Sequence, residues 1–235
     1  MDRHGPGVSP RRTRLPGLGG WSDDPLWSYV YPWLVEHPHV GGPAWRAGTG
    51  SDLRLIDEAA AELGTLPAGA RVLDIPTGSG VALRGLRPGQ GVRVVAADIS
   101  PTMLARALDS AARLGVADQV ITTVADVGEL PFDDGTFDLV ASFTGLHCFP
   151  DPRQAIREMV RVLAPGGAIT GSSIFTDTGA RYGPLRRGGA RAGILGPMCT
   201  SGEARRWLQA AGCDTVDLRI HGALGYFRAT KEGTR

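Results

Sequence analysis

V-L-D-I-P-T-G-S-G, residues 72–80, runs from a short apolar stretch into a glycine turn. The apolar part shows no polar alternation, the pattern of a parallel strand covered on both faces. Gly78 and Gly80 permit positive φ and let the backbone approach a ligand closely. The turn is expected to feed a helix whose N-terminal amides attract negative charge. Pro76 stands where turns of this kind most often carry their first glycine. It removes an N–H and holds φ at about −65°. The amides of Thr77 to Gly80 remain, so reshaped binding is expected rather than none.

The same type of run recurs downstream. V-R-V-V-A-A-D (92–98), Q-V-I-T-T-V-A-D (119–126), F-D-L-V-A-S-F (137–143) and A-I-T-G-S-S-I-F (168–175) read as four further strands. Helical patterns separate most of them. S-D-L-R-L-I-D-E-A-A-A-E-L opens on Ser51 as a cap and turns Leu53, Ile56, Ala60 and Leu63 to one face. Ser100-Pro101 starts a helix that Gly115 ends. D-P-R-Q-A-I-R-E-M-V-R-V-L (151–163) turns Ile156, Met159, Val160 and Leu163 inward and stops at Pro165-Gly166-Gly167. G-E-A-R-R-W-L-Q-A-A-G is a last helix. C-D-T-V-D-L-R-I-H-G-A-L-G-Y-F-R-A-T-K reads as two antiparallel strands joined at His221-Gly222. Alternation of strand and helix predicts an α/β fold with a mostly parallel sheet and helices on both faces.

Ligands of such sheets sit beyond the carboxyl ends of the strands. The chemistry-bearing residues fall there: Asp74 and Thr77-Gly78-Ser79-Gly80 after the first strand, Asp98 after the second, Asp126-Val127 after the third, and Gly145-Leu146-His147-Cys148 after the fourth. Asp98 lies 20 residues beyond Gly78, near the spacing at which a carboxylate bonds the two hydroxyls of a ribose. Asp126 is placed to accept a hydrogen bond from an exocyclic amine such as that of adenine. Against these readings, Asp98 is a candidate helix cap, a role Ser100 already fills, and Asp126 a candidate turn residue before Gly128. A dinucleotide fingerprint needs a third glycine, and that position is Leu83. A phosphate-binding loop needs Gly-Lys-Ser/Thr, and no lysine is present there. What fits is a nucleoside ligand without a pyrophosphate and with a positively charged tail, as in S-adenosylmethionine (SAM).

The runs V-L-D-I-P-T-G-S-G, V-V-A-A-D-I-S-P-T-M-L, A-D-V-G-E-L-P-F-D-D-G-T-F-D-L-V and G-L-H-C-F-P-D-P-R-Q-A-I-R-E-M-V-R-V-L-A-P-G-G-A-I resemble class I SAM-dependent methyltransferases. The nearest likeness is to the branch holding the ubiquinone/menaquinone-biosynthesis enzymes, over roughly residues 50–175. The resemblance implies a Rossmann-like seven-stranded sheet with an antiparallel last strand, SAM as cofactor and S-adenosyl-L-homocysteine as product. It implies that Asp74, Thr77, Gly78 and Gly80 surround the methionine part. It places Asp98 on the ribose, Ile99 and Met103 against the adenine ring, Asp126-Val127 at its edge, and Thr144 to His147 where donor and acceptor meet.

Methyl transfer from a sulfonium is an in-line displacement needing alignment and water exclusion. His147 is the candidate base for an oxygen or carbon acceptor, less so for nitrogen. The alternative is a histidine that only shapes the pocket. Cys148 reads as structural. Segment 21–50 carries Trp21, Trp27, Tyr29, Tyr31, Trp33 and Trp45, most of the chain's five Trp and four Tyr. It is a packing strap or the wall of an apolar pocket, with Asp24-Pro25 opening a helix that Pro32 ends. Residues 176–200 are a second lid-like segment, where Arg181, Tyr182, Arg186, Arg187 and Arg191 face an acidic or phenolic group. Trp27, Tyr31, Arg181 and Tyr182 are thus the substrate-side candidates, for a hydrophobic or aromatic small molecule of natural-product or quinone-like type.

The remaining composition sets bounds. The 235 residues divide into a flexible tail (1–20), the aromatic cap (21–50) and the cofactor-binding domain (51–235). Net charge is +1, which offers no global pull on nucleic acid. Cys148, Cys199 and Cys213 form neither a disulfide framework nor a zinc pattern, and His37 and His39 lack a third ligand, so no metal is expected. A cytoplasmic, unspanned monomer or homodimer follows. Two readings of other classes stay open: a SAM-scaffold protein doing cyclase or isomerase chemistry, and a non-catalytic binding module. An NAD oxidoreductase is disfavoured by Leu83.

Overall fold

Arg71–Asp74 forms a strand (β1) because Val72, Leu73 and Ile75 are all apolar and have neighbours to bury them on either side. β1 lies parallel between Arg93–Asp98 (β2) and Phe137–Phe143 (β4), with Val72 beside Val94 and Leu139. The computed structural model describes residues 38–233, and the backbone alone at 38–40. The expected tail over 1–20, the Asp24-Pro25 helix start, Pro32, His37 and the substrate-side Trp27 and Tyr31 lie outside the described residues.

Outward from β2 comes Val120–Val124 (β3), also parallel. On the other flank β4 pairs parallel with Leu163–Ile174 (β5), and β5 pairs antiparallel with Leu224–Lys231 (β7). Cys213–His221 (β6) then closes the sheet against β7 through the His221-Gly222 turn. The order is β3-β2-β1-β4-β5-β7-β6, the doubly wound, Rossmann-like arrangement expected, and strand order reverses between β1 and β4. That gap is where such sheets hold ligands.

Helices cover both faces. Pro38–Thr49 (α1) leads into Arg54–Ala60 (α2), and Pro101–Leu114 (α3) packs beside α2. Leu53, Ile56, Ala60 and Leu63 are all buried there, as their spacing predicts. On the opposite face Pro152–Arg161 (α4) and Ser201–Ala210 (α6) bury Ile156, Met159, Val160, Ala204 and Leu208. The sole lysine, Lys231, donates to the carbonyls of Val160, Arg161 and Leu163 at 2.9, 3.2 and 2.7 Å. It ties the end of α4 to the start of β5, matching cation to the negative end of a helix.

Four local expectations change. Ser51 is not a helix cap: its hydroxyl meets Tyr226 Oη at 3.1 Å, and Asp52 accepts the Arg54 amide instead. Ser100 occupies the cap position of α3, but its side chain makes no capping bond. The helix expected after the glycine turn is a single 3-10 turn, Ala82–Gly85. Gly85 lies against the Ala60 carbonyl so closely that a Cβ would sit 1.8 Å from it, and Pro88 disfavours helix at Arg87. The helix expected over 151–163 ends at Arg161, and Leu163 opens β5, which runs through Pro165-Gly166-Gly167. The lid-like segment 176–200 holds a further helix, Gly183–Arg191 (α5).

Candidate functional site

The loops after β1, β2, β3 and β4 meet at one edge of the sheet. Thr77 N–H donates to Ala97 O at 2.8 Å, and Ala125 N–H to Asp98 O at 3.1 Å. The Gly78 amide donates to Asp98 Oδ2 at 3.0 Å, which joins the glycine turn to the end of β2. Gly78 sits at φ 52, and a Cβ there would meet nothing within 4 Å. Its backbone therefore faces open space, the cradle a ligand needs. Gly80 serves differently. At φ 83 a Cβ would press Leu83 at 2.9 Å and Ala107 at 3.4 Å, so this glycine lets the turn pack onto α3.

Asp98 is buried, and its carboxylate accepts from the amides of Gly78 and Ser100, the latter at 2.9 Å. Burial pushes its pKa up, opposed by these backbone donors. Beside it Ile99 is 65 % exposed, a large apolar side chain left without cover at the place where the resemblance puts the adenine ring. Met103 is already buried. Asp126 is exposed, and its Oδ1 accepts the Gly128 amide at 2.8 Å, the turn bond that was the competing reading for this residue. Val127 is buried. The loop that carries both is held by Gln154 to Gly128 O at 3.0 Å and by Glu158 accepting the Leu130 amide at 2.9 Å.

Asp74 is buried to 1 % exposure, and Thr77 Oγ1 donates to its Oδ2 at 2.6 Å. Burial pushes this carboxyl up to about 7, Thr77 opposes the shift, and the nearby charge of Asp98 adds to it. An unfolded aspartate titrates near 3.8. Between those values the folded chain holds the extra proton, so this group's stabilisation is full below about pH 4 and is lost as pH rises through 7. Asp74→Asn should therefore melt higher than the wild-type chain at pH 8 and alike at pH 4. Melting below the wild type at pH 8 would show that the Asp74 carboxylate is satisfied in its site.

The β1 and β4 loops touch at the switch point. The Ile75–Pro76 peptide is cis. Pro76 lies against Gly145, where a Cβ would stand 2.2 Å from Pro76 Cδ, 2.9 Å from Ser142 Oγ and 3.0 Å from Phe149 Cζ. The proline ring thus occupies room that a glycine on the facing loop vacates. Ser142 Oγ, fully buried at this junction, has no hydrogen-bond partner among the described residues. Next to it Thr144 adopts φ 53, rare for a β-branched residue. Its amide donates to Ser172 O at 2.9 Å and Oγ at 3.1 Å.

His147 is buried, and burial pulls its pKa down to about 4. Its Nδ1 accepts the Ile174 amide at 3.0 Å and lies 3.3 Å from Ser173 Oγ. A backbone N–H can only donate, so the neutral ring carries its proton on Nε2. The histidine ties the loop after β4 to the end of β5. Cys148 Sγ contacts Thr144 O at 3.6 Å and Ile194 O at 3.4 Å, a packed thiol. Arg181 and Tyr182 lie beyond the end of β5, where Tyr182 packs with Ile174 and Leu224. Arg186 points back onto Phe175 O, Thr178 Oγ1 and Gly179 O, which staples its own segment.

Residues 73–170 match the family model described as a methyltransferase domain. Over these residues the chain is similar to class I methyltransferase domains. It is 40% identical over 116 residues to 27-O-demethylrifamycin SV methyltransferase of Amycolatopsis mediterranei, covering 49% of this chain and 42% of that one. To demethylmenaquinone methyltransferase of Thermus thermophilus it is 41% identical over 121 residues, covering 51% of this chain and 54% of that one. The chain thus spans about half the length of the curated relatives it matches. Among solved structures a [4+2]-cyclase aligns with TM-score 0.62 at 22% identity, over 77% of this chain and 81% of that one. That likeness speaks for the methyltransferase fold alone. Among the described residues no group of three or more His, Cys, Asp or Glu is placed to hold a metal, and no helix is long and apolar enough to cross a membrane.

Two features escaped the sequence. The Pro76–Gly145 complement joins positions 69 apart, and only the facing of the two loops reveals it. Arg46 belongs with Arg181 and Tyr182 around one cavity, yet nothing in the local pattern of G-P-A-W-R-A-G-T marks it.

Proposed function

We propose that this protein binds SAM through the loops after β1, β2 and β3 and transfers its methyl group to oxygen or carbon of a hydrophobic or aromatic small molecule. The observation that carries the reading is the joined Gly78–Asp98 pair beside an open cradle and an uncovered Ile99. Asp98 would exchange its backbone donors for ribose hydroxyls, Ile99 would cover one face of the adenine, and Asp126 with Val127 would meet its edge. Asp74, Thr77, Gly78 and Gly80 would enclose the methionine end. When bound, SAM supplies a methyl already activated by the sulfonium charge. The chain's own task is then orientation and exclusion of water.

His147 fits this reading as a positioning residue. Its Nδ1 lone pair is committed to Ile174, so it holds Thr144 and Gly145 in place from below instead of taking a proton. Deprotonation then rests on the acceptor's own acidity, which suits a phenol, quinol or enolisable carbon. Imidazole NMR should show His147 neutral as the Nε2–H tautomer throughout pH 6–8. A titration near 6.5 would restore it as the base. The depressed pKa also contributes stability that is full above about pH 6.5 and lost as pH falls toward 4.

Natural-product and quinone-like acceptors are favoured because the matched relatives include a rifamycin and a menaquinone-pathway methyltransferase. A cytoplasmic location and a monomeric or homodimeric state complete the reading. The test is incubation of the full chain with methyl-labelled SAM and a panel of hydrophobic phenols, quinols and 1,3-dicarbonyls. Label in product with matching S-adenosylhomocysteine supports transfer. SAM binding with no S-adenosylhomocysteine from any acceptor would favour non-methylating chemistry on the same scaffold.

A further inference from the structure

The geometry points to an oxyanion-binding subsite on the acceptor side, formed by Arg46, Arg181 and Tyr182. The inference rests on the methyl-transfer reading and adds the substrate's class: a hydrophobic acceptor bearing a carboxylate or phosphate.

A cavity of about 240 Å³ opens between the end of α1 and the segment after β5, lined by Arg46, Ala47, Gly48, Gly50, Arg181 and Tyr182. No acid lines it. Arg181 lies over the Tyr182 ring with its guanidinium carbon 4.7 Å from the centroid, and it donates to Tyr182 Oη. Tyr182 is only 6 % exposed, so the phenol fixes the direction of an otherwise mobile guanidinium. Gly50 permits this arrangement: at φ 68, any Cβ would overlap Tyr182 Oη at 2.0 Å. The turn after α1 is held in turn by Ala223 N–H donating to Thr49 O at 2.7 Å. Two segments distant in sequence therefore build the site, and each is fixed by packing or hydrogen bonds.

The charge balance decides what would occupy it. From Thr178 to Gly202 the chain has four arginines and no acid. Among the described residues Arg181 forms no ion pair. Arg46 pairs with Asp52, which stands outside the cavity lining. The carboxyl end of α1 also faces the cavity, and a helix end carries roughly half a negative charge. Two guanidiniums outweigh one paired carboxylate and that half charge, which leaves net positive potential. Guanidinium presents paired donors that match carboxylate and phosphate oxygens. The position suits an acceptor substituent: Tyr182 packs on Ile174, and the Ile174 amide bonds His147 at the floor of the reaction zone. Arg186, stapled to its own loop, is not part of the subsite.

The test is calorimetric titration of the full chain saturated with S-adenosylhomocysteine, using 1-naphthoate, 1-naphthyl phosphate and the neutral 1-naphthamide. At least one anion should bind roughly tenfold or more tighter than the amide, about the worth of one charged hydrogen bond. Arg181→Gln, and separately Arg46→Gln, should erase the preference while S-adenosylhomocysteine affinity stays unchanged. Arg93→Gln, an equal loss of charge at the far end of β2, should leave the preference intact. Equal affinity for anion and amide, no binding of any probe, or a preference that survives both pocket variants would overturn the inference. Failure of S-adenosylhomocysteine to bind would instead sink the SAM reading, and the probes titrated into the unliganded chain would still decide the subsite.

Discussion

Asp98→Ala should weaken S-adenosylhomocysteine binding by roughly 100-fold, while Asp109→Ala leaves it within experimental error. The factor follows from losing a charged acceptor for two ribose hydroxyls, each such hydrogen bond contributing about 1.5–3 kcal/mol, partly offset because bonds to water and to Gly78 and Ser100 are exchanged. Asp109 provides the control because it lies exposed on α3, the helix that follows Asp98, and removes the same charge. Asp98 also anchors the glycine turn through Gly78, so a folded variant is required. Asp98→Asn retains the acceptor oxygen for that amide and should lose affinity with little change in melting temperature. Equal losses in Asp98→Ala and Asp109→Ala would remove Asp98 from the cofactor.

Gly145→Ala should destabilise the chain by about 3 kcal/mol, at the upper end for overpacking, because the new methyl meets a ring carbon, a hydroxyl and an aromatic carbon at once. For a chain of this size that is a drop of roughly 6–12 °C in melting temperature. The nearest of the three contacts is Pro76 Cδ at 2.2 Å. Pro76→Gly in the same chain should therefore recover part of the loss, with a coupling of at least ~1 kcal/mol in a double-mutant cycle. Recovery stays partial because Ser142 Oγ and Phe149 Cζ still crowd the methyl. Strictly additive effects would show that Pro76 and Gly145 do not share that space. The proline that made the opening loop look unsuitable thus reads as half of a packed pair.

Most of the frame was legible in the sequence because burial on both faces leaves a plain mark. Continuous apolar runs placed β1, β2 and β4 and the second half of β5, and 3.6-residue periodicity placed α2 and α4 with their inward faces right except at Leu163, which opens β5. The site's address followed from topology, since residues after parallel strands collect at one sheet edge. What the sequence hid were features set by packing between distant segments. The helix after Gly80 shrinks to one 3-10 turn because Gly85 is pressed against Ala60. Ser51 abandons the capping role its type suggests for a bond to Tyr226, 175 residues away. His147 looks like a base by residue type, yet the Ile174 amide, 27 residues on, takes its lone pair. Residue type alone does not reveal a partner that only the packing of distant segments supplies, whether the Tyr226 hydroxyl or the Ile174 amide.

The most direct test of the cofactor assignment is titration calorimetry of the full chain with S-adenosylhomocysteine, run beside NAD under the same conditions. The account predicts one saturable site for S-adenosylhomocysteine and no heat of binding for NAD. No binding of S-adenosylhomocysteine to a folded chain, or tighter binding of NAD, would contradict it.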